Sequence, residues 1–210
     1  MLAKSGERRD QILQVLAGML ESPRAGKITT AALASQLNVS EAALYRHFAS
    51  KAQMFEGLIG FIEKTLFGLI NKLTAEEKSG TRQLEGILSL LLLLGFASKN
   101  PGMTRVLIGD ALINEDDRLQ IRINQLHDRL EATLKQALRF AVSEGEVTAN
   151  LDVSAQANVL MCYVTGRWHQ FAKSGFKRDP MEYWEVQRKE LLSAGVCTVP
   201  PLIEIPVRES

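Results

Sequence analysis

The chain has 210 residues, of which 46% are hydrophobic and 23% are charged, and its formal net charge is +1. This composition is typical of a globular protein, and the two cysteines are too few for a disulfide framework or a tetrahedral zinc site. The net charge gives no overall sign of a nucleic-acid partner. Residues 1–55 nevertheless carry seven basic and four acidic side chains, whereas the remainder carries 18 and 20.

No targeting segment or membrane span is expected. The first residues lack the apolar core of a signal peptide. The most hydrophobic run, ILSLLLLL at residues 87–94, is shorter than the ~20 residues that a membrane-spanning helix requires. We therefore expect a cytoplasmic protein in which both cysteines are reduced.

The N-terminal quarter is predicted to contain a helix-turn-helix. An amphipathic helix at about residues 7–20 comes first, and a second short helix is indicated by apolar residues at helical spacing in residues 31–37. Residues 38–40 break that pattern, and residues 41–48 resume it. Two short helices joined by a turn of about three residues have the geometry that places the second helix in a DNA major groove. An ordinary helical hairpin remains the alternative.

Capping residues support these boundaries. Thr29 and Ser40 are predicted to accept hydrogen bonds from the first free amides of the second and third helices. Ser50 followed by Gln53 forms a capping box that starts a fourth helix at about Lys51.

The rest of the chain keeps a helical period almost throughout, so the fold class is predicted to be all-α with about nine helices. The later helices are predicted over residues 51–73, 81–99, a short segment from Asn100-Pro101, 114–143, a segment capped by Asp152, and about 179–194. The predicted domains are a DNA-binding head at 1–55, a helical dimerisation and partner-binding body at 56–196, and a tail at 197–210.

If the third helix enters the groove, Ser40, Glu41, Ala42 and Ala43 lie at its leading end, where base edges are usually reached. This end has no Arg, Asn or Gln, so the strong bidentate contacts to guanine or adenine are absent. Specificity is therefore expected to depend on DNA shape and site spacing. Arg8 or Arg9 is a candidate for minor-groove contact from an N-terminal arm.

Catalysis is not expected. His47, His127 and His169 are far apart in sequence and lack metal-ligand spacing, and no glycine-rich phosphate loop or nucleophile elbow is present. No cofactor is predicted.

The segment ALYRHFASK at residues 43–51, following a basic helix-turn-helix, resembles the recognition-helix signature of the TetR family of regulators. The resemblance implies a homodimer that reads palindromic double-stranded DNA. It implies phosphate contacts from Thr29, Thr30, Tyr45, His47 and Lys51, and a base-facing segment at Ser40, Glu41, Ala42 and Leu44. It also implies a four-helix dimer interface formed by the last two helices, near Tyr163, Trp168, Phe171 and Trp184.

Residues 91–107 and 117–136 extend the match into the body, where they resemble the nucleoid occlusion branch of that family. In that branch, DNA binding is coupled to inhibition of the tubulin-like division protein FtsZ, whose tail lies in a groove between the fourth and fifth helices. The resemblance places the groove at Phe61, Lys64, Thr65, Leu69, Leu90, Leu92, Gly95, Phe96 and Lys99. Leu69 and Lys99 depart from the expected pattern, and a lysine cannot offer a carboxylate the bidentate fork of an arginine.

Two functions from different classes therefore remain open. The first is a nucleoid-associated factor that, once bound to DNA, antagonises FtsZ ring assembly over the chromosome. The alternative is a TetR-type transcriptional repressor released by a small apolar ligand, which needs a cavity among the body helices. The leucine-rich fifth helix favours a filled core over such a cavity. A purely structural helical protein would leave Tyr45, His47 and Lys51 unexplained.

Overall fold

The computed structural model describes residues 5–21, 28–97, 101–112 and 116–192, and only the backbone of Ser5 and of residues 94–97. Within these ranges the chain forms nine α-helices and one short 3-10 helix, with no β-strand. The helices are α1 (Ser5–Met19), α2 (Thr30–Gln36), α3 (Glu41–Tyr45), α4 (Lys51–Glu76), α5 (Gly80–Ala97), α6 (Gly102–Leu107), α7 (Asp117–Ser143), α8 (Val153–Lys173) and α9 (Trp184–Leu192), with the 3-10 helix at Asp110–Leu112. The predicted all-α class is confirmed.

The head is built from α1, α2 and α3 around a small apolar core. Ile12 and Leu16 of α1, Leu33 of α2, Leu44 of α3 and the following Phe48 are each about 1% exposed. The turn between α2 and α3 contains Asn38 with a φ of 52°. Asparagine tolerates this left-handed conformation better than most residues, so the turn is compatible with its sequence.

The three predicted N-caps are confirmed by hydrogen bonds. The Oγ1 of Thr29 accepts from the amide of Ala32 at 3.1 Å, and the Oγ of Ser40 accepts from the amide of Ala43 at 3.2 Å. The Oγ of Ser50 accepts from the amide of Gln53 at 3.1 Å. The Gln53 side chain reaches back to the amide of Ala49 at 3.0 Å, one residue before the cap that the capping box predicted.

The 26-residue helix α4 joins the head to the body. At 1.5 Å per residue it is about 39 Å long, and it packs against α1 in the head and against α5 and α7 in the body. It crosses the predicted domain boundary at residues 55 and 56 without a break, and it extends three residues past the predicted end at 73.

The body core lies between α5, α7 and α8, which pack closely on one another. Leu88, Leu91, Leu130 and Leu134 are fully buried there, and the Trp168 ring fills the space between α5 and α7. Its Nε1 donates to the backbone oxygen of Leu91 at 2.8 Å, so the only polar group of this ring is satisfied. No helix in the part of the chain that the structure describes is long and apolar enough to span a membrane.

The predicted bounds of the third and last helices were also wrong. The third helix was expected to reach residue 48 but ends at Tyr45, where the His47 amide bonds to the Leu44 oxygen in a tight turn. The last helix was expected from residue 179 but begins at Trp184. The Asp179 carboxylate accepts from the amide of Met181 in a local turn, and the φ of 67° at Tyr183 is incompatible with a helix.

Candidate nucleic-acid interface and adjoining groove

The leading end of α3 presents polar and small side chains to the outside. Ser40, Glu41 and Ala42 are exposed, and the Tyr45 side chain is 45% exposed at the opposite end. A helix with such small residues is slim enough to approach a DNA groove closely. These side chains are therefore accessible, and their base-facing role stays a prediction.

One hydrogen bond joins the two helices of this motif. The Oγ1 of Thr30, at the start of α2, donates to Oε2 of Glu41, at the start of α3, at 2.5 Å. Both residues are among the predicted DNA contacts. The bond links the first turns of α2 and α3, whose starts are capped by Thr29 and Ser40.

The predicted position of Leu44 was wrong. The resemblance placed it on the base-facing segment, but its side chain is 1% exposed and packs in the core of the head. A side chain with no exposed surface cannot contact a base edge. Leu44 therefore holds α3 onto the head and does not read DNA directly.

Arg9 of α1 has a role that the sequence did not reveal. Its Nη1 donates to the backbone oxygen of His47 at 3.1 Å, and its guanidinium lies 4.2 Å from the centre of the Phe48 ring. Arg9 thus braces the segment that follows α3, and a minor-groove contact from Arg8 or Arg9 stays a prediction. Arg8 is paired locally with Gln11 at 2.6 Å.

The remaining predicted phosphate contacts lie around this braced segment. His47 is half-buried, whereas Lys51 begins α4 with its Nζ 5.6 Å from the centre of the Phe55 ring. The Lys51 ammonium therefore lies within cation–π distance of the Phe55 ring at the start of α4.

Two connected grooves run along the outer face of α4. The first, of about 650 Å³, lies between α1 and α4 and includes Phe61, Lys64, Thr65 and Leu69. The second, of about 450 Å³, lies between α4 and α5 and includes Leu69 and Leu90. The Leu69 side chain is 44% exposed and lines both grooves. Five of the predicted partner-binding residues therefore line two grooves that share Leu69.

Leu92 is a second correction, because its side chain is fully buried between the body helices and cannot line a groove. The backbone of Gly95 and Phe96 belongs to α5 but their side-chain environment lies outside the described part, as does the whole of Lys99.

Comparison with known proteins agrees with this architecture. Residues 25–58 match the model of the bacterial regulatory proteins of the tetR family, and residues 78–194 match a tetracyclin repressor-like C-terminal domain. The nucleoid occlusion factor SlmA of Alteromonas mediterranea is 54% identical over 88% of this chain and 93% of its own. Its counterpart from Idiomarina loihiensis is 48% identical over 92% of this chain and 100% of its own. The chain belongs to the SlmA family of nucleoid occlusion factors.

Solved structures show the same fold. A TetR-family regulator from Agrobacterium tumefaciens superimposes with a TM-score of 0.74, covering 90% of this chain and 97% of its own, at 15% identity. The fatty acid degradation regulator FadR from Bacillus halodurans also gives a TM-score of 0.74, covering 91% and 98% at 15% identity. At this level of identity, the similarity establishes that SlmA-family chains share the TetR fold.

Three of the four aromatic residues predicted near the dimer interface of this SlmA-family chain are buried within a single protomer, and their proximity to the interface stays a prediction. Trp168, Phe171 and Trp184 are 1%, 2% and 3% exposed within a single protomer, so their rings belong to its core. Tyr163 is half-buried and its hydroxyl donates to Oε1 of Gln187 at 2.8 Å, joining α8 to α9. Helical spacing identified these as inward-facing positions but could not show which chain covered them.

A carboxylate on α4 connects this helix to α7. Glu63 accepts from Arg122 at 2.5 Å and from Arg129 at 2.6 Å. Burial alone would raise the pKa of Glu63, but the hydrogen bonds and charges of the two arginines outweigh it and hold that pKa below its usual value. These two contacts hold α4, and with it the head, in one orientation relative to the body.

Proposed function

We propose that this SlmA-family chain acts as a dimer on palindromic DNA and that the DNA-bound dimer antagonises FtsZ ring assembly over the chromosome. The observation that carries the proposal is an identity of about one half with nucleoid occlusion factors across nearly the whole chain. Body sequences define the particular role of a TetR-type protein, because the head alone is shared by many regulators. Such a protein would be found on the nucleoid.

The DNA contacts proposed for the head are those that the fold leaves accessible. Phosphate contacts are assigned to Thr29, Thr30, Tyr45, His47 and Lys51, and base-edge contacts to Ser40, Glu41 and Ala42. The exposure of Thr29, Ser40, Glu41, Ala42 and Tyr45 supports this assignment, because a side chain must reach the surface to contact DNA.

The grooves along α4 are the proposed site for the FtsZ tail, with contacts from Phe61, Lys64, Thr65, Leu69 and Leu90. Because α4 begins at Lys51 in the head and carries Phe61, Lys64, Thr65 and Leu69 about three to five turns later, the same helix serves both sites. This continuity is a physical route by which DNA binding would alter partner affinity, provided that the two sites favour the same state of α4.

The dimer is proposed to form through the exposed apolar side chains of the last two helices. Val159 on α8 is 51% exposed, Tyr183 just before α9 is 65% exposed and Val186 in the first turn of α9 is 67% exposed. Burying them against their two-fold mates would remove apolar surface that the protomer leaves in water.

The ligand-released repressor receives no comparable support. Its ligand would need an apolar cavity among the body helices, but Trp168 and the leucines around it fill the space between α5, α7 and α8. A cleft of about 550 Å³ beside α7 is lined mainly by polar side chains, including Asn71, Thr74, Thr133 and Gln136.

The deciding experiment is light scattering of polymerising FtsZ with the purified full chain, with and without a pool of selected palindromic DNA. Inhibition that strengthens when specific DNA is added supports the proposal. Intact DNA binding without any effect on FtsZ would overturn it and direct the search to a repressor ligand.

The DNA contacts are tested by the salt dependence of binding. Replacing Tyr45 and Lys51 together by alanine should weaken binding to all DNA sequences and reduce the slope of log affinity against log salt by about one for Lys51. Lys72→Ala is the control, because Lys72 is an exposed lysine on α4 remote from the head. An unchanged slope in the double variant would contradict these phosphate roles.

A further inference from the structure

A small cleft lies where the first turn of α7 meets the first turn of α4. Its volume is about 190 Å³, and it is lined by Ser50 and Gln53 on one side of the sequence and by Asp116 and Arg118 on the other. Ser50 is the N-cap of α4, and the proposed phosphate contact Lys51 is the first residue of that helix. An arginine of the body therefore lies beside a helix start that is assigned to the DNA backbone.

The guanidinium of Arg118 is only partly occupied. Its Nη2 donates to Oδ2 of Asp116 at 2.6 Å, and its Nε donates to Oδ1 of the same carboxylate at 3.0 Å. Nη1 forms no hydrogen bond to any residue that the structure describes, and the side chain is 85% exposed. The hydrogen bonds to Asp116 raise the pKa of Arg118, so the guanidinium stays charged. It therefore keeps donors that a phosphate oxygen can accept from.

The other charges around the cleft are mainly acidic. Glu56 lines it from α4, Asp116 caps α7, and Asp117 is exposed in the first turn of α7. The second arginine of the cleft, Arg122, is already paired with a carboxylate of α4. Without compensation, the carboxylates would repel a duplex that lies against the start of α4. Arg118 is the cation of this cleft that still has donors to offer.

We propose that Arg118 binds a DNA phosphate next to the one contacted by Lys51, and that Asp116 restrains this contact by competing for the guanidinium. The body, and not only the head, then takes part in DNA binding. The proposal rests on the proposed function, because it requires the start of α4 to lie against the DNA backbone. An exposed ion pair contributes little to stability, so a phosphate can share or displace the carboxylate at small cost.

This contact would attach both sides of the junction between head and body to the DNA backbone. Lys51 holds the start of α4, and Arg118 holds the start of α7. One turn further along α7, Arg122 binds Glu63 of α4 at 2.5 Å, so the two helices are already joined there. DNA would therefore favour the orientation in which both helix starts reach the backbone, and this difference in contacts is what a ligand needs to shift a conformational equilibrium.

The contact is tested by the salt dependence of operator binding, measured by fluorescence anisotropy with a labelled palindromic duplex. Arg118→Ala should lower affinity by about three- to tenfold and reduce the slope of log affinity against log salt by about one for each protomer bound. Arg139→Ala is the control, because Arg139 is an exposed arginine near the other end of α7, and it should change neither quantity. A slope in Arg118→Ala equal to that of the wild type would overturn the contact.

The restraint is tested with Asp116→Asn, which keeps a side chain that can cap α7 but removes its charge. Operator affinity should rise by about threefold or more, because Arg118 is released. Asp117→Asn removes the same charge one residue later. Since Asp117 forms no printed bond to Arg118 within the described part of the chain, this variant should show a smaller gain. Equal gains in the two variants would overturn the restraint.

A combined variant separates the DNA contact from a purely structural role of the pair. In Arg118→Ala with Asp116→Asn, the extra gain of Asp116→Asn should disappear, because that gain depends on the guanidinium. If both single variants lost affinity and had lower thermal midpoints, the pair would serve only to stabilise the start of α7, and the proposal would be overturned. A wild-type protein that binds no palindromic DNA would overturn the proposed function instead.

Discussion

Glu63 shows how a single carboxylate can set the geometry of a whole helix. It lies on α4 with its side chain 14% exposed, and both arginines that it binds come from α7. Arg129 is held a second time, because its guanidinium lies 3.7 Å from the centre of the Phe67 ring. An isolated surface ion pair contributes little to the free energy of unfolding. Water competes less well for the hydrogen bonds of a shielded carboxylate that has two arginine partners.

Replacing Glu63 by glutamine should lower the free energy of unfolding at pH 7 by about 1–2 kcal/mol, because two charge-assisted hydrogen bonds are lost. The folded-state pKa of Glu63 lies below its ordinary value of 4.5. Its contribution is therefore complete above that value and is lost as the pH falls through the lower, folded-state pKa.

Urea denaturation of both proteins at pH 7 and at about pH 3 measures this effect. The difference in free energy of unfolding between the wild type and Glu63→Gln should be smaller at the lower pH. Glu76→Gln, at an exposed carboxylate on the same helix without an ion pair among the described residues, should show no difference at either pH. A Glu63→Gln deficit of equal size at both pH values would contradict the ion-pair account.

At the scale of helices, the contact between α6 and α1 is as close as two backbones allow. A Cβ on Gly102 would lie 2.2 Å from the Ala17 oxygen and 2.9 Å from Cβ of Leu20. Beside it, Nη1 of Arg105 donates to the backbone oxygen of Leu20 at 3.3 Å. The end of α1 is thus attached to the body by a helix other than α4.

Arg105 continues this attachment toward α8. It forms an ion pair with Asp110 at 3.1 Å, and Asp110 also binds Lys173 at the end of α8. Burial would raise the pKa of Asp110, but the hydrogen bonds from Lys173 and Arg105 outweigh it and lower that pKa. The head is therefore connected through two ion pairs to a helix of the proposed dimer interface.

Gly102→Ala should destabilise the protein by about 1–3 kcal/mol, even though alanine favours a helix, because the added methyl must push α6 away from α1. Gly18→Ala adds the same methyl in α1 with no atom within 4 Å and should be neutral or stabilising by up to about 1 kcal/mol. Thermal denaturation compares the two variants. Similar midpoints for both would show that the α1–α6 contact can relax.

At the scale of the whole molecule, the two heads can read a palindrome only if the protomers stay paired. Few exposed apolar side chains lie on α8 and α9. Burying a charge among them should therefore weaken the dimer strongly. The same chain offers a comparable exposed apolar residue elsewhere, Ile121 on α7, which is 56% exposed.

Val186→Asp should shift the protein toward monomers and reduce operator affinity at least tenfold at low concentration. Ile121→Asp should change neither property. Sedimentation velocity gives the oligomeric state, and a gel shift with a palindromic site gives the affinity. A dimeric Val186→Asp variant with normal operator binding would place the interface on another face.

Local features of the fold were accessible from the sequence because they depend on neighbouring residues. Thr29, Ser40 and Ser50 each bond to the amide three residues ahead in the helix, and a pattern of side chains suffices to locate such caps. The continuous apolar stripe of α4 was also predictable from helical spacing.

Features that depend on distant parts of the chain were not accessible. Periodicity marked Leu44, Leu92 and Trp168 as apolar positions, but burial by elements far along the chain decided that none of them reaches a surface. The brace between Arg9 and His47 joins residues 38 apart, and no local signal marks it. The start of α9 was misplaced because an Asp-Pro pair can open either a turn or a helix.

The head is attached to the body through both α4 and α6, and this attachment also constrains the DNA that the dimer can bind. An operator with one extra base pair between its half-sites displaces the second half-site by about 3.4 Å and rotates it by about 35°. A head that could rotate on the body would follow that change. A head held by the contacts of Gly102, Arg105 and Glu63 cannot, so the duplex must untwist or bend instead. Base pairs that the protein never touches would then influence affinity through their stiffness, and flexible steps between the half-sites would be favoured.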